Sequence, residues 1–214
     1  MTGHAFARSL AKRWQRRQRC RGFSSAAEGR VAATRRWLDS VVIGEKLCPF
    51  AAPVREEQKL KLVASLAEDA EALTGEVAAE AKILVAGVGE ASAAETTLLV
   101  LDPALGCCRT WRDFVRLSWQ LQDRAIRAQG FEELLQIVLF HPEAVHSAYC
   151  DGPEDAADFS IRAPFPVVHL LREMDVMKAV ASYPAAEEIP ARNKAKLRKQ
   201  GLSLCQARLD ACIE

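Results

Sequence analysis

Between Leu60 and Phe140 the sequence alternates between two hydrophobic periods, and that alternation restricts the chain to a narrow set of architectures. Leu60–Leu66 has the alternation and apolar weight of a strand. Glu68–Val85 is rich in Ala and Glu and sets Leu73, Val77, Ala81 and Leu84 on one helical face. Glu95–Pro103 reads as a buried strand by its Thr and Val content and its Pro stop. Trp111–Ala128 reads as a helix carrying Phe114, Val115, Trp119 and Ile126, ended by Gly130. Leu134–Phe140 is a third apolar strand, stopped by His141-Pro142. Strand, helix, strand, helix, strand implies right-handed crossovers. The expected class is α/β: a single domain with a small, mainly parallel sheet of about three or more strands and helices packed on it. Further helices are expected from Val167 and from Ile189.

The ends of the chain differ in character. Met1–Ala27 holds no acid, while Arg8, Lys12, Arg13, Arg16, Arg17, Arg19 and Arg21 crowd together. Phe6, Leu10 and Trp14 recur at helical spacing, the pattern of a basic amphipathic import signal. Arg21, Phe23, Ser24 and Ser25 resemble a mitochondrial processing site. The expectation is a presequence over 1–23, a linker over 24–33 and one domain over 34–214, with the mitochondrial matrix as destination and a plastid as the alternative. A basic tail that binds RNA or lipid is the competing reading. No apolar run approaches the roughly 20 residues of a membrane span. Across the whole chain 29 basic residues nearly balance 28 acidic ones, so a net charge of +1 supplies no global drive toward polyanions.

Seven cysteines show no C-x-x-C spacing, and Cys107-Cys108 reads as a pair of thiols rather than a disulfide. An early helix, capped by Thr34 and running to Leu47, ends at Cys48-Pro49-Phe50. There the dipole of the preceding helix raises a thiol pKa, so Cys48 reads first as a buried structural thiol and second as a nucleophile.

Three of the four histidines fall within Phe140–Glu173. Pro164 and Pro166 suit the opening of a helix, whose core face would hold Val167, Leu170, Leu171, Met174 and Met177. His169, Arg172 and Glu173 would then project together from its other side. One reading is a structural network of ion pairs and backbone hydrogen bonds. A second is an anion site, in which Arg162, the helix N-terminus and Arg172 hold a phosphate or carboxylate. A third is a metal site drawing on His141, His169 and a carboxylate from Glu143, Asp151 or Glu173, with His146 and Cys150 as further ligands. A Ser-His-Asp or Cys-His triad is a fourth. In the last segment the cations of Arg192–Lys199 read as a solvated face. No aromatic interleaves with them for base stacking, so nucleic acid is not the expected partner. Arg192 and Asn193 near that helix start could add donors to the site.

Trp37–Ala51, Phe140–Pro142, Arg162–Glu173 and Glu188–Gly201 resemble the four marker segments of the domain of unknown function family 1415, in the right order. The family's Cys-Pro-Phe-Ala falls on Cys48–Ala51, its Phe-His-Pro on Phe140–Pro142 and its Leu-His-Leu-Leu-Arg-Glu on Val168–Glu173. The chain departs from it at Asp158–Pro166, where an Asn, a Ser and a Tyr hydroxyl are missing. His146 and Cys150 stand where the family has no His or Cys. The resemblance implies bacterial ancestry and carries no established reaction.

The expected function is binding of a small anionic metabolite, with its conversion as the further step. Arg162, Arg172 and Asn193 would bind it, and His141, His169 and Glu173 would act on it, with Cys48 as a further candidate; no metal or cofactor is assigned. The alternatives are a non-catalytic binding or assembly protein with a structural His/Arg/Glu network and a metal-dependent hydrolase.

Overall fold

The computed structural model describes residues 25–146 and 154–214. The segment expected to be a presequence, Cys150 and Asp151 lie outside them. Four strands form one open sheet: β1 (Leu60–Ala64), β2 (Thr96–Val100), β3 (Leu135–Phe140) and β4 (Val167–Arg172), in the order β1-β2-β4-β3. β1 runs parallel to β2, whereas β4 is antiparallel to both β2 and β3. The domain is α/β as expected, but its sheet is mixed rather than mainly parallel.

The cause is Val167–Arg172, which forms a strand wedged between β2 and β3 where the sequence suggests a helix. A central strand covered on both faces shows a near-continuous apolar run and hides the period of two. Val167, Val168 and Leu170 are all fully buried. The β-branched Val pair favours extended backbone. Pro166 stands just outside the strand, where its missing N–H costs no ladder bond, and its carbonyl accepts from Leu101 N at 2.9 Å.

The helices fall on the two sides of this sheet. Helix α1 (Ser25–Trp37) continues in π geometry through Leu38–Ile43. It starts well before Thr34, which is internal and returns its hydroxyl to Arg30 O at 2.9 Å. The short α2 (Ala51–Glu56) precedes β1. Helix α3 (Ala70–Ala86) is capped by Asp69, whose side chain accepts from Ala72 N at 2.7 Å. Helix α4 (Trp111–Gln120) extends as a π turn over Leu121–Ile126 and a 3-10 turn to Gln129, and Gly130 closes it at φ 72°. After β4 come α5 (Glu173–Ser182), α6 (Ile189–Gln200), opened by Pro190, and α7 (Leu202–Asp210).

Val168 and Leu170 pack with Leu99, Leu73, Val77 and Phe114 under α3 and α4. Val167 packs with Leu98, Trp37, Leu197 and Leu209 under α1, α6 and α7. Met174 and Met177, expected on a core face, are 57% and 56% exposed on α5, and Trp119 is 76% exposed on α4. Among the described residues no helix is long and apolar enough to cross a membrane.

Candidate functional site

Because β4 is extended, the residues expected to meet on one helix are spread along the sheet. Arg162 precedes β4 and Arg172 ends it. At roughly 3.3 Å per residue, about 17 Å of strand separates their neighbourhoods.

At the end where β2 and β3 finish, His141 is 2% exposed. Its Nε2 lies 2.9 Å from Cys108 O, and its Nδ1 accepts from Glu143 N at 3.0 Å. An acceptor role for Nδ1 leaves the proton on Nε2, so both ring nitrogens are bonded to main chain. The ring lies 6.1 Å from Trp111 and 5.7 Å from Phe114 between centroids. Burial holds the imidazole pKa below its usual value. Nearby, Arg162 donates from Nε to Ala144 O at 3.1 Å and stacks its guanidinium 4.6 Å from the Phe159 centroid. Arg30 donates to Asp102 at 2.9 Å.

His169 lies mid-sheet, opposite Leu98 and Val138. Its Nε2 is 2.6 Å from Thr96 Oγ1, and that hydroxyl donates to Leu170 O at 2.8 Å. The hydroxyl has one proton, already given, so the imidazole donates. Desolvation pushes the His169 pKa down to about 4, which makes it neutral at pH 7. Thr96 was the partner that sequence reasoning missed. Only pairing between β2 and β4 brings residues 73 positions apart together.

At the far end Arg172 is 8% exposed. Its Nε donates to Leu84 O at 3.0 Å, in the last turn of α3, where carbonyls lack helical partners. Its Nη1 stands 3.6 Å from Asp175, and its buried Nη2 has no hydrogen-bond acceptor among the described residues. Glu173 accepts from Gln136 Nε2 at 2.5 Å, and its amide bonds Leu134 O at 2.9 Å. It therefore joins α5 to β3.

Asn193 on α6 donates to Leu47 O at 2.6 Å, and Lys196 bonds Glu45 O in the same loop. Glu45 also pairs with Lys196 and Arg208, each at 2.9 Å. The Lys196 hydrogen bond leads the lowering of its pKa. Cys48 follows in this loop just ahead of α2. Burial pushes its thiol pKa up, against the opposing pull of the Phe50 and Ala51 amides. It is a free thiol, as are Cys107 and Cys108. His146 bonds Ser160 Oγ at 2.8 Å. Among the described residues no three His, Cys, Asp or Glu side chains converge as metal ligands.

Two buried acids on α3 escaped the sequence reading. Glu80 is fully buried and takes Lys61 Nζ at 2.7 and 2.9 Å. Glu76 accepts from Ser65 Oγ at 2.6 Å and Leu66 N at 3.2 Å, while burial raises its pKa. Their signal is an i, i+4 pair beside the Leu73/Val77 stripe, easily taken for a solvated face in an Ala- and Glu-rich helix.

This mixed α/β domain, with an antiparallel strand carrying V-V-H-L-L-R at its centre, defines the class. The chain belongs to the protein family of unknown function DUF1415, whose profile matches residues 30–207. No curated protein and no solved structure matches the chain.

Proposed function

We propose that the chain is a non-catalytic binding or assembly protein in which the His, Arg and Asn residues of the family motifs frame the fold. One observation carries this reading: His141, Arg162, Arg172 and Asn193 each direct a side-chain nitrogen to a main-chain carbonyl of a distant segment. Such bonds fix where strands, helix ends and loops meet. The anion reading keeps one observation in its favour, the buried Nη2 of Arg172, which lacks an acceptor among the described residues. It no longer has a helix starting at Pro166 to support it.

Thermal unfolding against a panel of phosphorylated and carboxylated metabolites separates the two readings. The framework reading expects no stabilisation of the parent protein and a lower midpoint for Arg172→Ala in plain buffer. A gain of about 2 kcal/mol or more at a hundred times the dissociation constant, abolished by Arg172→Ala, would establish an anion site instead.

For location we infer the mitochondrial matrix, with a plastid as the alternative, from the acid-free, Arg-rich residues 1–23. Sequencing the mature N-terminus tests it: a start near Ser24 supports import, and a start at Met1 in organelle-purified protein rejects it.

A further inference from the structure

Helix α4 is strongly amphipathic, and its inner face is spent. Phe114 and Leu117 are buried in the core, as are Leu121 and Ala125 of the π turn. The outer face is not a plain solvated one. Arg112, Arg116 and Trp119 recur at i, i+4 and i+7, which places them within about 60° of arc on one stripe. Arg109 is exposed just before the helix. Among the described residues Arg112 and Arg109 have no ion pair, and Arg116 reaches only Asp113, at 3.7 Å. A Trp 76% exposed is unusual in a soluble domain, since leaving its large apolar surface in water forgoes the burial that stabilises folds. Among the described residues nothing covers it.

We propose that this stripe binds single-stranded nucleic acid, with a base stacked on Trp119 and phosphates on Arg112, Arg116 and Arg109. An exposed π-face set among guanidinium groups on one surface has the chemistry that single strands need, one stacking platform flanked by phosphate donors. An interfacial membrane helix is a poorer match, because its apolar face enters the lipid and here that face is packed on the sheet. The inference rests on the reading of the chain as a binder and names its partner. It differs from the sequence expectation because the cations involved are those of α4, not the C-terminal run. There, Lys196 and Arg198 are held by Glu45 and Asp155.

The test is fluorescence anisotropy of a labelled, mixed-sequence single-stranded 20-mer with the full chain, over a salt series. Three phosphate contacts predict a slope of log K on log salt of about −2. Trp119→Ala should weaken binding roughly ten-fold. Arg112→Gln and Arg116→Gln should each flatten the slope by about 0.7. All three residues are exposed, so an unchanged unfolding midpoint serves as the control for folding. No binding at low salt overturns the proposal. So does binding that survives all three substitutions, which would belong to the basic residues before Ala27. Preferential binding to phosphatidylserine vesicles, lost with Trp119→Ala, would assign the stripe to a membrane and also overturn it. None of these results touches the framework role of His141 or Arg172, which the metabolite panel decides separately.

Discussion

His169 and His141 illustrate how a histidine can be central without being reactive. The Nε2 proton of His169 goes to Thr96, and its pKa of about 4 lies below the unfolded value near 6.5. The unfolded chain therefore binds the proton more readily between those values. Stability contributed by this neutral imidazole is present above pH 6.5 and is lost progressively as pH falls toward 4, by no more than about 3 kcal/mol. His141 and His146, also lowered by burial, act in the same direction. Glu76, raised by burial, acts oppositely, since acid relieves the cost of its buried charge. Urea midpoints at pH 5 and pH 7.5 isolate the His169 share. The difference between the two pH values should be smaller in His169→Asn than in the parent, and an unchanged difference would show that His169 is not held neutral. For His141, alanine leaves Cys108 O without its donor in a buried setting, at a cost of about 1–3 kcal/mol before any cavity effect.

Elements reveal where sequence was sufficient and where it was not. β1, β2, β3, α3, α4 and α6 were legible because each has one buried face or a clear stop, such as Gly130 after the π turn or Pro190 at the start of α6. β4 was not legible. Pro164 and Pro166 suit a helix start as well as the approach to a strand, and burial on both faces erased the period. With β4 misread, the common face expected for His169 and Arg172 was lost as well, since alternation along the strand sends Val168, Leu170 and Arg172 one way and Val167 and His169 the other. The junction of β4, α3 and α5 gives a further prediction. A Cβ on Gly87 would lie 2.7 Å from Ala93 Cβ and 2.9 Å from Arg172 Nη2. Gly87→Ala should therefore destabilise the protein by about 1–3 kcal/mol, as overpacking does. Chemical denaturation measures it, and a neutral result would mean that the loop after α3 moves aside freely.

At the scale of the molecule, the motif residues are distributed about the fold rather than gathered in one place. His141 and Arg162 tie the loops where β3 ends and β4 begins, His169 spans β2 and β4, Arg172 closes α3, and Asn193 fastens the loop that carries Cys48. Sequence singled these residues out because three of the four histidines gather in Phe140–Glu173 and because all of these residues fall in segments that resemble the family markers. Their roles were out of reach, because a hydrogen bond such as Asn193 to Leu47, 146 positions apart, exists only through the tertiary arrangement. The surface complements this interior: cations and an exposed Trp on α4 face outward while the motif residues hold the frame.

The most direct measurement is the unfolding free energy of His141→Ala, Arg172→Ala and Asn193→Ala, each in plain buffer without any added small molecule. A framework role predicts that every one of them loses about 1–3 kcal/mol, the cost of a buried carbonyl left without its donor. Variants as stable as the parent, with only a ligand-induced stabilisation removed, would contradict it.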